Sequence, residues 1–280
     1  MGEPRKPAAV AARRSAVSKR PDPGARIQQV APIVPEPEVH KAFQLHTTCL
    51  TASAQMPDGY PKKIRCNPFT VGDIKTLVYA PQDEMYYETL VNVFNPLCDV
   101  DVSQLTVIDF EALILFMRVN VCGPTSAYNI TCSKCGKVSP AIVNLRQFKL
   151  TSLPSTYSEP KKLETISLGL PRVYARMTYE RINNVDMDRW ALHIMEGNSA
   201  EEKIKLFDKQ DPGVFEDMMK FSKAVADAGV DPTWPFHCRK KFDADGHESS
   251  TGEPCDFQED LVVPFRGQFF LPEHTSGDTE

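Results

Sequence analysis

Residues 128–136 read YNITCSKCG, in which two cysteines are separated by two residues and followed by a glycine. Apolar and polar residues alternate before the first cysteine and again from Val138 onward, which predicts a strand on each side of a tight turn. A Cys-x-x-Cys turn of this kind is typical of a zinc knuckle, because two neighbouring thiolates can bind one metal ion. Redox motifs with the same spacing normally begin a helix, which this pattern does not predict.

A similar segment recurs about a hundred residues later. WPFHC (234–238) is followed by Cys255 after sixteen residues. The stretch VPFRGQFFL (263–271) then aligns with VNLRQFKL (143–150) if one residue is inserted at Gly267. These matches predict an internal duplication in which each copy contributes one pair of cysteines.

The two cysteine pairs are predicted to form one metal site. Its candidate ligands are Cys132, Cys135, Cys238 and Cys255. Four thiolates complete the tetrahedral coordination of Zn²⁺ and leave no position for a substrate, so the predicted zinc is structural. Two alternatives remain open: His237 or His247 replaces a cysteine of the second pair, or the cysteines bind no metal. The other cysteines, Cys49, Cys66, Cys98 and Cys122, are interpreted as buried thiols.

Apolar residues with helical spacing dominate most of the remaining chain. The period predicts helices around residues 86–97 and 106–122, the second ending at Gly123-Pro124. Helix starts are predicted at Thr70, Thr106, Ser199 and Asp211, where a capping residue precedes an acid or a proline. Residues 173–179 are interpreted as a strand.

Together these patterns predict an α+β fold that is predominantly helical. It would comprise two pseudo-repeated halves, each ending in a small antiparallel zinc-knuckle hairpin, joined at the metal site. The chain is predicted to begin with an extended Pro/Ala/Arg-rich tail (1–40), followed by a first helical half that ends in the Cys-x-x-Cys knuckle (41–150). A linker (151–171) leads to a second helical half with a split cysteine knuckle and an acidic C-terminal tail (172–280). Three roles are compatible with the N-terminal tail: a flexible solubilising segment, docking onto another subunit, or contact with nucleic acid.

Composition limits the classes of function. With 280 residues, 41% of them hydrophobic, the chain can bury a core without disulfides. It has no long apolar run and no signal-peptide pattern, so neither a membrane span nor secretion is expected. The formal net charge is -5 although residues 1–35 carry seven Lys or Arg, so the remainder is acidic and binding to nucleic acid is not expected. Motifs of zinc hydrolases, deaminases, phosphate-binding loops and serine hydrolases are missing from the sequence, which predicts a protein that is not an enzyme.

Several of these motifs together resemble a viral family. The chain resembles the baseplate hub and hub-assembly proteins of T4-type contractile-tailed bacteriophages. The motifs that carry the likeness are FTVGDIK (69–75), the helix reaching 109–118, the Gly123 stop, the Cys132 to Cys135 knuckle and the Val-x-Leu-x-x-Phe ending. The likeness is best over residues 55–150 and weaker over 230–271.

The resemblance implies a structural or assembly role in the hub region of the virion tail baseplate. It also implies other baseplate and tail proteins as partners, and assembly in the host cytoplasm. The zinc ligands that the resemblance implies are Cys132 and Cys135. Cys238 and Cys255 match less closely because of the long insertion between them. The alternative function is that of a nucleic-acid-associated zinc-ribbon protein, which the basic tail and the knuckle would favour.

Overall fold

The structure of the protein is a computed structural model. It describes residues 43–46, 59–80, 85–157, 159–181, 186–243, 246 and 248–272. The predicted N-terminal tail, Cys49, His247 and the acidic C-terminal residues 273–280 lie outside the described residues.

Six α-helices lie in the described part of the chain: α1 (Val71–Val78), α2 (Tyr86–Phe94), α3 (Val107–Cys122), α4 (Val173–Arg181), α5 (Ala200–Phe207) and α6 (Pro212–Ala226). Short 3₁₀ helices cover Asn95–Leu97, Val102–Gln104, Leu145–Gln147, Ser155–Tyr157, Asp186–His193 and Gly267–Phe270. The predicted capping side chains each accept a hydrogen bond from a first-turn amide, and this confirms the helix starts at Thr70, Thr106, Ser199 and Asp211.

The strand predicted at residues 173–179 is wrong, because these residues form α4. Val173 is buried in the same core against which Met177 packs. Residues four positions apart lie on one face of a helix, and they also share a face of a strand, so this short apolar pattern fits both structures.

The strands are short and pair as antiparallel two-stranded sheets. β1 (Phe43–His46) pairs with β2 (Lys63–Cys66), β3 (Thr125–Thr131) with β4 (Val138–Asn144), and β5 (Lys149–Thr151) with β8 (Gly229–Asp231). β6 (Lys161–Lys162) pairs with β7 (Ser167–Leu168), β9 (Thr233–His237) with β12 (Gln258–Val262), and β10 (Lys241–Phe242) with β11 (Glu253–Pro254). The β5–β8 sheet joins segments that are about eighty residues apart in the chain.

The predicted fold class needs a correction, since the described residues are 42% helical and 25% strand rather than predominantly helical. Several strands have only two or three residues, which is too few positions to show an alternating pattern in the sequence. The fold is therefore a mixture of helices and small antiparallel hairpins. The predicted domain boundaries and duplication stay predictions.

The apolar core has two main parts. The first surrounds α3, which is buried on most of its sides, and includes residues of α1 and α2 together with Phe269 and Phe270 from near the C-terminus. The second surrounds α6 and includes Ile166 and Leu168 of the β6–β7 hairpin. Residues of both the predicted linker and the C-terminal region thus take part in the packing of the fold.

Arg118 of α3 binds the C-terminal segment that contains Phe269 and Leu271. It is fully buried, and its guanidinium donates hydrogen bonds to the backbone carbonyls of Phe269 and Gly123, of Thr125 at 2.7 Å and of Leu271 at 2.8 Å. The Phe269 ring lies below the guanidinium, with 5.8 Å between the guanidinium carbon and the ring centroid. Because β12 leads directly into this segment, the contact also limits where the β9–β12 sheet can lie.

Candidate metal centre

The first cysteine pair lies in the turn between β3 and β4. The Cys132 amide donates to the carbonyl of Lys137 (3.0 Å), and the Gly136 amide donates to the carbonyl of Cys132 (2.8 Å). Gly136 has a φ of 67°, in the left-handed region that favours glycine. The structure therefore confirms the strand, tight turn and strand predicted around YNITCSKCG.

The second pair is assembled at one end of the β9–β12 sheet, where β9 ends and β12 begins. Cys238 directly follows β9, and its amide donates to the carbonyl of Phe257 at 2.9 Å. The amide of Cys255 donates to the carbonyl of Lys240 at 2.7 Å. The insertion between the two cysteines contains the β10–β11 hairpin, which returns the chain to Cys255. A split pair is thus brought together in spite of its sixteen-residue spacing.

All four sulfur atoms of Cys132, Cys135, Cys238 and Cys255 lie within 4.8 Å of one another. The Sγ–Sγ distance is 3.8 Å between Cys132 and Cys255, and 3.8 Å between Cys135 and Cys238. A regular tetrahedron of sulfurs about 2.3 Å from zinc has edges of about 3.8 Å, whereas a disulfide bond is about 2.05 Å long. The spacing therefore fits a tetrahedral metal site better than it fits disulfides.

The thiols of this cluster differ in acidity. Burial raises the pKa of Cys238, and it raises the pKa of Cys255 to about 12. Burial also acts to raise the pKa of Cys132, but hydrogen bonds from the backbone amides of Cys135 and Lys134 and from neighbouring thiols outweigh it, and the pKa is lowered to about 7. The surroundings thus favour the thiolate form of Cys132 and the neutral form of Cys238 and Cys255, whose protons a bound metal ion would have to displace.

A small apolar cluster surrounds the sulfurs. Phe236 is buried against the cysteines, and partly buried Trp234, Phe242, Phe257, Ile130 and Leu261 pack around them. The Lys134 ammonium donates to the Cys255 carbonyl (3.0 Å) and so links the two turns directly. Cys132, Cys238 and Cys255 are buried and Cys135 is half-buried, so most of the cluster is shielded from solvent.

The histidine alternative gains no support from the described residues. His237 is exposed, and its Nε2 lies 3.1 Å from Oδ1 of Asp256. Within the described ranges, the group of side chains close enough to share one ion consists of the four cysteines. His247 lies outside those ranges.

Sequence reasoning missed two features of this region. The first is the contact of Lys134 with Cys255, which joins residues that are far apart in the chain. The second is the positive φ of Asp256, 55°, which no sequence pattern indicates because aspartate is common in ordinary turns. The adjacency of Lys134 to the cysteine motif was the one available hint.

Comparison with protein-family models matches residues 49–248 to the model described as T4 bacteriophage base plate protein. The matched region is more than two thirds of the chain, and it contains Cys132, Cys135 and Cys238 but ends before Cys255. Neither the curated proteins nor the solved structures compared with the chain match it. Among the described helices, none is long and apolar enough to cross a membrane. As the sequence resemblance predicted, the chain belongs to the family of T4 bacteriophage base plate proteins.

Proposed function

We propose that the protein is a non-enzymatic structural or assembly component of the hub region of a contractile phage tail baseplate, stabilised by one structural zinc ion. Family membership implies a role in the baseplate and other phage proteins as partners. The group of four sulfurs carries the zinc part of the proposal. Its ligands would be Cys132, Cys135, Cys238 and Cys255.

The donor set supports zinc in a structural rather than a catalytic role. Thiolates are good zinc ligands, and four of them occupy every position of a tetrahedral ion. No position is then left for water, so the ion would not activate a nucleophile. In this proposal its effect is to hold two turns together that are separated by more than a hundred residues.

The composition of the surrounding cluster supports a stabilising role for an ion there. It contains four buried residues, and three of them are cysteines. Apart from Phe236, the apolar side chains around the sulfurs are only partly buried, and hydrophobic burial stabilises by about 25 cal/mol per Å² of apolar surface. A structural zinc contributes on the order of 10 kcal/mol to the folding of small zinc domains. We therefore propose that the β3–β4 and β9–β12 sheets are fixed relative to each other mainly by the metal.

The zinc content of the protein tests this part. The chain would be purified anaerobically without added metal, and zinc per chain would be measured by inorganic mass spectrometry. We expect one zinc per wild-type chain and a large loss in the Cys132→Ser/Cys135→Ser variant. Cys122→Ser is the matched control, because Cys122 is a buried thiol outside the cluster. Zinc near zero in the wild type, or unchanged zinc in the double variant, would overturn the proposal.

The role in assembly has a separate test. A phage with a stop codon in this gene would be grown with and without a plasmid copy, and its baseplates would be counted by electron microscopy. We expect complete baseplates only with the plasmid copy. Cross-linking during assembly should join the chain to central hub proteins. Normal baseplates without the protein, or cross-links only to peripheral wedge proteins, would contradict the hub role.

The alternative function, a zinc-ribbon protein that binds nucleic acid, draws on the basic residues in both cysteine turns. These are Lys134, Lys137, Arg239, Lys240 and Lys241. Two of them already have partners, since Lys134 contacts the Cys255 carbonyl and Lys240 pairs with Glu248. A salt-dependent shift of single- or double-stranded DNA in a gel would favour this alternative over the baseplate role.

A further inference from the structure

A second pair of thiols lies far from the four-cysteine cluster in sequence and outside its apolar surroundings. Cys66 is the last residue of β2, and Cys98 directly follows the 3₁₀ helix Asn95–Leu97. Their sulfur atoms are 3.5 Å apart. Cys66 is fully buried, whereas Cys98 is partly exposed. No local sequence pattern indicates this contact, because the two cysteines are more than thirty residues apart.

The backbone holds these two cysteines directly opposite each other. They form an isolated antiparallel bridge. Two backbone hydrogen bonds flank the bridge, from the Asn67 amide to the Leu97 carbonyl (2.8 Å) and from the Asp99 amide to the Arg65 carbonyl (3.1 Å). The cysteines therefore occupy a non-hydrogen-bonded position, where opposite Cα atoms are about 4.5 Å apart.

This position meets the geometric requirement for a disulfide bond. Disulfides bridge Cα atoms about 4.4–6.8 Å apart, and the sulfurs must approach to about 2.05 Å. The sulfurs are 3.5 Å apart and must approach each other by about 1.5 Å more, and we expect rotation of the two side chains to supply this. The 3.8 Å contacts in the metal cluster differ, because there four sulfurs share one centre and a bound ion would hold them apart.

We propose that Cys66 and Cys98 are a disulfide-forming site, reduced while the chain is made in the host cytoplasm and oxidised by a low-molecular-weight disulfide once the particle has left the cell. The cytoplasm keeps thiols reduced, whereas virion surfaces are exposed to oxidising surroundings. The proposal depends on membership of the baseplate family. It does not depend on the binding of zinc or on a location in the hub.

The reaction is a pair of thiol–disulfide exchanges. The thiolate of Cys98, the more accessible of the two, attacks one sulfur of the small disulfide and releases one small thiolate. The thiolate of Cys66 then attacks the Cys98 sulfur of the mixed disulfide and releases the second. The two protons lost by the cysteines end on the two small thiols, so the cysteines are oxidised and the small disulfide is reduced.

The new bond would close a loop that contains α1 and α2. Both helices contribute to the first part of the core, and α1 also packs near the C-terminal segment that Arg118 holds. Closing a loop of this length restricts the unfolded chain and so stabilises the folded one. In the reduced protein, the hydrogen bond to Cys66 and burial raise the pKa of Cys98, which keeps the thiol protonated and the exchange slow.

The test uses the full-length chain as purified, incubated with oxidised glutathione in mildly alkaline buffer. Non-reducing peptide mapping by mass spectrometry is expected to find a Cys66–Cys98 linked peptide and two fewer free thiols per chain. The melting temperature should rise by several degrees and return on addition of dithiothreitol. A chain that keeps its thiols, that carries only glutathione adducts, or that links other cysteines instead would overturn the proposal.

Variants separate this disulfide from a general effect of oxidation. Cys98→Ser should abolish both the linked peptide and the rise in melting temperature, while Cys122→Ser should retain both. If the serine variant folds poorly, the peptide map of the wild type still shows whether Cys66 and Cys98 form a disulfide. Virions collected in an alkylating agent should contain the linked peptide, and infected cells alkylated before lysis should contain the reduced pair. The reduced pair in both samples would contradict oxidation after release.

Discussion

At the scale of single residues, two buried polar side chains link separate segments of this fold. Arg118 places a full positive charge among four backbone carbonyls near the C-terminal end of α3, where the helix dipole also favours a cation. His193 is buried between the Gly169 carbonyl, 3.3 Å from Nδ1, and the Ser222 hydroxyl, 3.2 Å from Nε2. Neither role could be predicted from the sequence, because two of the Arg118 partners and both of the His193 partners are distant in the chain.

Replacement of Arg118 should strongly destabilise the protein. Arg118→Met keeps much of the hydrocarbon but leaves the four carbonyls without their donor, and we expect a loss of about 3–5 kcal/mol in the free energy of unfolding. Urea unfolding measures this loss. The matched control is Arg146→Met, an exposed arginine, for which a change within about 0.5 kcal/mol is expected. Equal stabilities of the two variants would contradict the role of Arg118.

His193 should make the stability depend on pH. Burial lowers its pKa from 6.5 to about 4, so between these values the unfolded chain binds the more protons. The stability that neutral His193 provides is therefore complete above pH 6.5 and is lost as the pH falls toward 4. His193→Gln has no such titration, and the difference in unfolding free energy between wild type and variant should shift by up to about 3 kcal/mol over this range. Parallel pH profiles would contradict the prediction.

At the scale of elements, the turns determine where the cysteines and strands meet. Gly136 allows the first cysteine turn, and Gly229 begins β8 with a φ of 88°. Their surroundings differ. A Cβ at Gly136 would meet nothing within 4 Å, whereas one at Gly229 would lie 2.8 Å from Cγ2 of Ile108. The second glycine is thus required both by its backbone and by its close contact with α3.

These two glycines give a matched pair of variants. Gly136→Ala should cost about 1 kcal/mol, since only the left-handed backbone opposes the new side chain. Gly229→Ala should cost about 1–3 kcal/mol more, because the methyl group also overpacks the contact with Ile108. Thermal or urea unfolding would rank them. A Gly136→Ala variant less stable than Gly229→Ala would show that this description of the β5–β8 sheet is wrong.

Local patterns were the part of the fold that the sequence predicted best. The turn at Cys132 to Cys135 and the capped helix starts depend on residues within a few positions of one another. The strand expected at 173–179 was wrong because Val173 and Met177 share a face in either structure. The predominantly helical fold was wrong because strands such as β6 and β7 have two residues each. The Cys66–Cys98 contact depends on long-range pairing, which no local pattern reports.

At the scale of the whole molecule, several contacts join parts of the chain that are distant in sequence. Arg118 joins α3 to the C-terminal segment, and the four cysteines join the β3–β4 turn to one end of the β9–β12 sheet. A baseplate protein must keep its shape while it contacts several neighbours. A metal ion bound between distant segments would stabilise that shape. The zinc site is therefore proposed to act on the arrangement of these parts rather than on a substrate.

The central claim is the four-cysteine zinc site, and X-ray absorption at the zinc edge of the purified full-length protein tests it most directly. The account predicts one shell of four sulfur atoms at about 2.3 Å, with no nitrogen or oxygen neighbour. The spectrum of the Cys122→Ser variant should be the same. A first shell that contains nitrogen or oxygen, or a protein without zinc, would contradict the account.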